Sequence, residues 1–452
     1  MFFSYIIRRV GGALGIRPGA LRVLETIFFT GVVVVLAFVG GILSARILGP
    51  EGRGELTSII IGLQVAGQLA VVGLPSAIIY NVKKTPAQTP ELVGAVLTLA
   101  FVFGIASSLI GVLIIPYWLE NTSEPIIRAA QIAMLATPMW TVMQVATPIL
   151  RAKDEFDIFN GVRVATPLVT AIVLGIYLLF TTIRDPIPAS LPYVLNTCIF
   201  VFWPLWWIWK TCQPRFRNLL APVRTLLQYG LRSLIVDTVQ TLSRFLDRIV
   251  LVYLLPPAAV GLYVVAVAMA RAMNEMGMAI ALVLFPKASG QEATQAIAMT
   301  DLAARIGLFS MLVLGLPMLI LADFLIGNLF GHEFLPAVSI FQRLLIAVIL
   351  GSTCDILSQA FFATGKPETA SILRCIEMVA LVGLLFFLAP RYGMDGASFA
   401  VLASSVLRFI ATLASYPLVL GVSLPRLYIN RSDIGKVRKA RSDRVSRQQN
   451  GE

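Results

Sequence analysis

The stretch Leu231–Val250, LRSLIVDTVQTLSRFLDRIV, combines a long apolar segment with several charged residues. A helix advances about 100° per residue, so Asp237, Arg244 and Arg248 would fall on one face of a helix formed by this stretch. The opposite face would carry the aliphatic residues Ile235, Val239, Leu242, Leu246, Ile249 and Val250. A charge at the centre of a membrane helix costs roughly 2.5–3.5 kcal/mol. We therefore expect the charged stripe to face water or charged partners inside a helix bundle.

The composition of the whole chain is that of a membrane protein. Hydrophobic residues make up 58% of the sequence and charged residues 13%, and the mean hydropathy is +0.84. Soluble proteins are normally about 25% charged. Apolar runs of about 20 residues recur, and the alternating pattern of barrel strands is absent. The sequence therefore predicts an all-α polytopic membrane protein.

An internal repeat predicts two halves of the same design. The end of the first apolar span, Arg46–Pro50, is similar to the end of the seventh, Arg248–Pro256, and six spans separate the two copies. We expect about twelve transmembrane helices in two six-helix lobes around a central cavity. The predicted spans are 26–48, 56–80, 92–118, 126–149, 156–181, 188–209, 225–251, 258–285, 303–327, 336–362, 370–390 and 394–420. The predicted regions are a basic N-terminus (1–25), an N-lobe (26–209), a linker (210–224), a C-lobe (225–420) and a basic tail (421–452).

The distribution of lysine and arginine predicts the orientation. These residues are concentrated in the N-terminus, in the linker 210–224 and in the tail, which the span count places on one side. The loops on the other side carry Arg53, Arg128, Arg184 and Arg391. Positive residues favour the cytoplasmic side, so we expect both termini in the cytoplasm and the chain in the cytoplasmic (inner) membrane. The net charge of +12 follows from this bias and does not indicate nucleic-acid binding.

Several classes of site are excluded by the residues available. The single histidine, His332, argues against a histidine-based metal site or catalytic triad. The four cysteines show no metal-binding spacing, and no GxxxxGK[ST] motif is present for ATP. The glycine-rich segment 49–54 is interpreted as a tight turn between helices. We therefore expect no metal, no cofactor and no enzymatic activity.

Ionisable residues within predicted spans are candidates for function. Six arginines are candidates for binding the transported substrate: Arg46, Arg163, Arg244, Arg248, Arg271 and Arg408. Three acidic residues are candidates for coupling transport to an ion: Asp237, Asp355 and Glu275. Each has a structural alternative, because Arg46 can reach the lipid headgroups and Arg271 can pair with Glu275 at i, i+4. Arg408 has no acidic residue nearby in sequence, so it needs a partner on another helix or an anionic ligand.

The excess of arginine predicts an anionic substrate. Arginine stays charged and binds phosphate through two parallel hydrogen bonds. An exporter of cationic drugs would instead need acidic residues in its cavity. The pair Arg374 and Glu377, spaced i, i+3, is expected to form a local ion pair.

Two groups of motifs resemble the polysaccharide flippases of bacteria, in the multidrug/oligosaccharidyl-lipid/polysaccharide exporter superfamily. The first group is SARILGPEGRGE (44–55) with GLPSA (73–77); the second is LDRIVL (246–251) with VGLYVVA (260–266) and LFP (284–286). The resemblance covers roughly residues 20–420. It implies alternating access and movement of an undecaprenyl-diphosphate-linked oligosaccharide from the inner to the outer leaflet. It also implies arginines on helix 7 that line the cavity, a role that Arg244 and Arg248 match by location.

Other functions stay open on the sequence alone. A cation-coupled small-molecule antiporter of the same superfamily would depend on Asp237 or Asp355. A membrane glycosyltransferase or polymerase would need larger outer loops than this chain offers. The expected partners are the lipid-linked oligosaccharide, membrane lipids and the polysaccharide assembly machinery.

Overall fold

The computed structural model describes residues 18–71, 73–180, 184–288 and 293–428, and within these ranges the regular structure is helical, without strands. The α-helices are α1 (Pro18–Ala70), α2 (Leu74–Lys84), α3 (Thr89–Trp118), α4 (Glu124–Met134), α5 (Thr137–Ala152), α6 (Phe156–Phe180), α7 (Pro186–Phe200), α8 (Phe202–Cys212), α9 (Leu220–Leu242), α10 (Leu246–Leu254), α11 (Pro257–Ala288), α12 (Ala293–Ile320), α13 (Ala322–Leu329), α14 (Ala337–Leu357), α15 (Gln359–Ala363) and α16 (Pro367–Ser415). Short 3₁₀ segments occupy Pro86–Gln88 and His332–Phe334, and a π-helical turn follows α16 at Tyr416–Leu420.

The two longest helices are each interrupted by one glycine. Gly49 in α1 has φ 67° and ψ −176°, and Gly393 in α16 has φ 58° and ψ −135°. Positive φ is a conformation that glycine adopts at little cost. Pro50 follows the first break and begins a new helical segment, a position that suits proline because it needs no N–H donor there. The helical segment that contains the start of the predicted second span, at residue 56, therefore begins at residue 50.

The segment Leu231–Val250 is not one helix, which corrects the first expectation. α9 ends at Leu242 and α10 begins at Leu246. Between them the amides of Arg244 and Phe245 bond to carbonyls three residues back, at 3.1 and 3.0 Å. This turn is tighter than an α-helical turn, so the helical wheel cannot be extended from Asp237 to Arg248.

Long apolar helices support the assignment to the membrane. Among the described residues, seven helices are long and apolar enough to cross a membrane, or eight if α4 and α5, bent by 46°, form one span. The first and last of these, Phe28–Ala70 and Pro367–Leu420, are the glycine-interrupted segments. The count of twelve spans stays a prediction. Large apolar side chains such as Leu113, Leu179 and Phe180 are mostly exposed, as is typical of surfaces that face lipid.

The chain forms two compact units. Unit 1 comprises residues 1–268, 326–338 and 382–397, and unit 2 comprises residues 269–325, 339–381 and 398–452. The predicted lobe boundaries at 209 and 225 stay a prediction. One apolar core of unit 1 is built from α2, α3, α5, α6, α8 and the start of α9, with Val93, Val145, Ile149 and Leu226 fully buried.

The middle of α9 packs closely on the start of α2 within unit 1. A Cβ atom on Gly73 would lie 2.5 Å from the carbonyl oxygen of Gly230, so the two backbones touch. Beside this contact the rings of Tyr80 and Tyr229 stack with centroids 4.4 Å apart. These contacts hold the N-terminal half of predicted span 7 against predicted span 2.

Candidate functional site

A second backbone contact in unit 1 brings the two repeated motifs together. A Cβ atom on Gly54 would lie 1.7 Å from the carbonyl oxygen of Pro257, and one on Gly261 would lie 1.9 Å from that of Pro50. Both distances are impossible for a real side chain, so both positions require glycine. The segment that follows the break in α1 therefore packs directly on the start of α11, next to α10.

Arg53 is buried at this contact. The residue is 9% exposed, although its side chain is that of a strongly hydrated cation. Within the residues that the structure describes, its Nε and Nη1 atoms have no hydrogen-bond partner and no carboxylate lies within ion-pair distance. Its guanidinium lies within electrostatic range of a second cation, Arg248, and of the phenol of Tyr193. Buried polar groups are normally paired, so two orphaned donors on one cation require an explanation.

Arg248 is half-buried and incompletely paired. Its side chain is 11% exposed, and its Nη2 atom donates to the carbonyl of Arg244 at 2.5 Å. Its guanidinium lies over the Phe245 ring, 5.1 Å from the centroid. The Nε atom is 3.9 Å from Oδ1 of Asp247, which is too long for a hydrogen bond, so both atoms are buried without a partner in the described part of the chain.

Asp247 can neutralise only one of the two arginines. Its Oδ2 atom accepts a hydrogen bond of 2.7 Å from the hydroxyl of Tyr263, and its Oδ1 atom forms a long ion pair of 3.9 Å with Nε of Arg248. We call Arg53 and Arg248 the arginine pair. With Asp247 included, two cations and one anion leave a net charge of +1.

Helix geometry adds to the positive potential. Arg53 lies in the first turn of the segment that begins at Pro50, and Arg248 lies in the first turn of α10. The N-terminus of a helix carries a partial positive charge and favours anions, so an arginine there is electrostatically unfavourable. Both cations therefore oppose a helix dipole and repel one another. An anion with several oxygen atoms would satisfy the orphaned donors and relieve both effects.

The remaining residues of the charged stripe lie in different surroundings. Arg244 is exposed at the break between α9 and α10. Asp237 is half-buried and accepts a hydrogen bond of 3.2 Å from the hydroxyl of Ser76 on α2. The charged stripe is thus divided between α9, where Asp237 contacts α2, and α10, which carries Arg248. Of the stripe residues, only Arg248 belongs to the arginine pair.

Arg46 and Arg163 contact neighbouring helices. Arg46 is exposed, and its Nε atom donates to the carbonyl of Leu329 at 2.8 Å while Nη2 donates to that of Asn328. These are the last carbonyls of α13, so Arg46 caps a helix C-terminus, where a cation is favourable. Arg163 on α6 donates to the hydroxyl of Thr30 at 3.3 Å and lies over the Phe159 ring.

Unit 2 contains a separate cluster of four charges. Arg408 is 2% exposed, and its guanidinium bonds to Asp355 at 2.5 Å and to Glu377 at 3.3 Å. Arg374 contacts the same two carboxylates at 3.3 and 3.6 Å, and the second contact is the predicted i, i+3 pair. We call these residues the four-charge ring. Arg408 therefore has the partner on another helix that its sequence position required.

The last candidates are Arg271 and Glu275 on α11. Arg271 is exposed, whereas the side chain of Glu275 lies outside the described residues. The predicted pairing of these two residues stays a prediction. In the described part of the chain no three histidine, cysteine or acidic side chains cluster as metal ligands.

An open apolar groove of about 450 Å³ lies elsewhere in unit 1. It runs between α4 and α7, and the exposed ion pair of Arg128 and Glu124 lies at its edge. None of the predicted site residues lines it.

The sequence is similar to known transporters. Residues 43–339 match the family described as polysaccharide biosynthesis protein. The chain belongs to this family. A curated relative from Shigella flexneri, named "Putative O-antigen transporter", is 22% identical over 384 residues, which are 78% of this chain and 87% of the relative. Residues 43–339 include the arginine pair and most of unit 1.

Solved structures share the fold. The lipid II flippase MurJ in an inward closed conformation superposes with a TM-score of 0.72 at 14% identity, over 86% of each chain. An inward-facing multidrug resistance MATE family transporter of the MOP superfamily superposes with a TM-score of 0.67 at 16% identity, over 86% of this chain and 96% of that one. These matches confirm the predicted class, an all-α multi-pass membrane protein with the two-lobe transporter fold. Each relative is by name a transporter or a flippase, in line with the expectation that the chain is not an enzyme.

The charge distribution predicts Arg53 in an outer loop, whereas the structure buries it in the first turn of the helical segment that begins at Pro50. The glycines at 52 and 54 argued against a helix, yet Gly54 is present because the carbonyl of Pro257 leaves no room for a side chain. The available signal was Pro50, since proline directly after glycine is typical of the first position of a new helix. An arginine four residues into that helix is then a candidate for a buried site.

Proposed function

We propose that this protein is a flippase that moves a lipid-linked oligosaccharide, joined to its lipid through a diphosphate, from the inner to the outer leaflet of the cytoplasmic membrane. The observation that carries the proposal is the arginine pair: the buried Arg53 and the half-buried Arg248 of unit 1, three of whose nitrogen atoms are buried without a hydrogen-bond partner among the described residues. Membership of the polysaccharide biosynthesis family and the name of the Shigella relative support the sugar part of the substrate.

The physical problem that such a protein solves is the passage of charge through hydrocarbon. A diphosphate cannot cross a bilayer unaided, because its charges cannot be solvated there. Arg53 and Arg248 offer donors in a fork geometry that matches phosphate oxygens. Because these donors are already dehydrated, the anion gains their hydrogen bonds without first displacing tightly held water.

The location of the pair predicts its step in transport. By the charge bias of the loops, the break in α1 and the start of α10 lie toward the outer side. We therefore place the diphosphate at the arginine pair late in the cycle, before release into the outer leaflet. Alternating access supplies the movement, and the lipid chain stays in the bilayer throughout.

The antiporter alternative has less support. A cationic drug or coupling ion needs a carboxylate that is free to bind it. Asp355 bonds to two arginines, and Asp237 accepts a hydrogen bond from Ser76. The arginine pair would repel a cationic cargo.

The experiment that tests the proposal is a leaflet-accessibility assay. Purified protein is reconstituted in vesicles with a defined polyprenyl-diphosphate-linked sugar, and an impermeant sugar-modifying enzyme reports which leaflet holds the sugar. The proposal expects transfer of the sugar between leaflets in the presence of the protein. Failure to move any such lipid, together with efflux of an organic cation that depends on Asp237, would contradict it.

A further inference from the structure

The four charges of the four-charge ring in unit 2 are paired with one another, although the buried Nε atom of Arg408 has no hydrogen-bond partner among the described residues. Nη2 of Arg408 and Nη2 of Arg374 both contact Oδ1 of Asp355, at 2.5 and 3.3 Å. Nη1 of each arginine contacts Oε2 of Glu377, at 3.3 and 3.6 Å. Each carboxylate therefore meets both cations through one oxygen atom, and the four charges cancel.

Arg408 occupies the buried side of this ring. Its side chain is 2% exposed, whereas that of Arg374 is 29% exposed. Asp355 comes from α14, Glu377 from the first segment of α16 and Arg408 from the segment after Gly393. The guanidinium of Arg408 thus lies between carboxylates of two helices, as a bound metal ion would. Unlike a metal ion, this cation is covalently part of the chain and is permanently charged.

Further oxygen atoms lie close to the ring along the helices. The hydroxyl of Ser352 is buried and has no hydrogen-bond partner among the described residues, and the buried hydroxyl of Thr412 lies beside the thiol of Cys354. Ser352 precedes Asp355 by three residues and Thr412 follows Arg408 by four, so each lies about one helical turn away on the same face. Carboxylate and hydroxyl oxygens are hard ligands that suit Na⁺ or another hard cation. Removal of the guanidinium would leave such oxygens around a vacated position.

We propose that Arg408 is a built-in counter-cation that occupies a cation site formed by Asp355 and Glu377. The wild-type chain consequently takes up no coupling ion at these carboxylates, and the helices of the ring are held together in every state of the cycle. Replacement of Arg408 by a neutral residue converts the ring into a site for a hard monovalent cation. This inference concerns energy coupling and does not depend on the nature of the transported sugar.

The test measures the thermal stability of the purified, detergent-solubilised full chain in NaCl and in choline chloride at equal ionic strength. A ligand that binds the folded state raises the melting temperature, and choline is too large for the site. The wild-type protein is expected to melt at the same temperature in both salts. The Arg408→Gln variant is expected to melt higher in NaCl, with a saturable dependence on Na⁺ and about one bound ²²Na⁺ per chain.

Two controls separate a cation site from a general salt effect. Arg343 lies on α14 about 18 Å along the helix from Asp355, where it donates to the hydroxyl of Ser398, so Arg343→Gln should bring no Na⁺ response. Adding Asp355→Asn and Glu377→Gln to Arg408→Gln should abolish the response. A folded Arg408→Gln variant that responds to none of Na⁺, Li⁺ and K⁺ would overturn the proposal.

If Arg408→Gln does not fold, the melting temperature of the wild-type protein in the two salts tests the proposal. A Na⁺-specific rise in its melting temperature that Asp355→Asn abolishes would mean that the carboxylates bind an ion despite Arg408, which overturns the proposal. Equal melting temperatures in the two salts, for the wild type and for Asp355→Asn alike, support it. Neither result involves sugar transport, so failure here is distinct from failure of the flippase assignment.

Discussion

Replacement of Arg53 by glutamine should raise the stability of the empty protein while it lowers transport. Arg53 is 9% exposed and keeps two N–H groups unpaired in the described structure. A buried polar group without a partner costs about 1–3 kcal/mol, and the charge adds to this cost through its repulsion from Arg248. Glutamine removes the charge and can keep part of the packing. We expect a gain of about 1–3 kcal/mol in the free energy of unfolding, seen as a higher melting temperature.

The same substitution removes a charge-assisted hydrogen bond to the anionic substrate. Such a bond contributes about 1.5–3 kcal/mol, which corresponds to a loss of about 10- to 150-fold in affinity. The assay is sugar transfer between leaflets in reconstituted vesicles, measured over a range of substrate concentrations. Arg53→Lys keeps the charge but loses the fork geometry, so its transport should fall between those of the wild type and Arg53→Gln.

Arg46→Gln is the matched control. Arg46 caps α13 through two backbone carbonyls and lies outside the arginine pair. Its loss should lower the melting temperature and leave the substrate affinity close to that of the wild type. Lower stability together with unchanged substrate affinity in Arg53→Gln would make Arg53 a structural residue and would contradict its role in binding.

Three further predictions follow from particular contacts. Gly54→Ala should destabilise the protein by about 1–3 kcal/mol and reduce transport, because the added Cβ would lie 1.7 Å from the carbonyl oxygen of Pro257. Gly31→Ala is the control, since its added Cβ meets no atom within 4 Å, and equal melting temperatures for the two variants would argue against the close contact. Ser76→Ala should cost about 1 kcal/mol by removing the hydrogen bond to half-buried Asp237, as thermal unfolding would report; no change in melting temperature would mean that this bond contributes little. Arg408→Gln should lower the free energy of unfolding by about 3–5 kcal/mol and Arg374→Gln by less than about 1 kcal/mol, because the side chain of Arg408 is 2% exposed and that of Arg374 is 29% exposed. A lower melting temperature for Arg374→Gln than for Arg408→Gln would contradict the assignment of Arg408 to the buried side.

The helices could be predicted from the sequence because lipid leaves the backbone few alternatives. The predicted spans 92–118 and 156–181 agree closely with Thr89–Trp118 and Phe156–Phe180. A long apolar run in hydrocarbon must satisfy its own N–H and C=O groups, and a helix does so within one segment. The exclusion of histidine and ATP sites followed equally directly from the residues present.

The partners of the buried charges could not be predicted in this way. Arg408 pairs with Asp355 and Glu377, which lie 53 and 31 residues away in sequence, so no local pattern connects them. The break between α9 and α10 contains neither proline nor glycine, and the orphaned carbonyl of Arg244 is satisfied by the side chain of Arg248. Such features depend on tertiary packing, which composition and helical periodicity do not encode.

Recognition of a diphosphate by the arginine pair is tested most directly by a comparison of two substrates. The same oligosaccharide is attached to a polyprenyl diphosphate or to a polyprenyl monophosphate, and transfer between leaflets is measured for the wild-type protein and for Arg53→Gln. We predict that the wild type transfers the diphosphate-linked sugar faster and that Arg53→Gln loses most of this preference. An equal preference in the two proteins would contradict the claim.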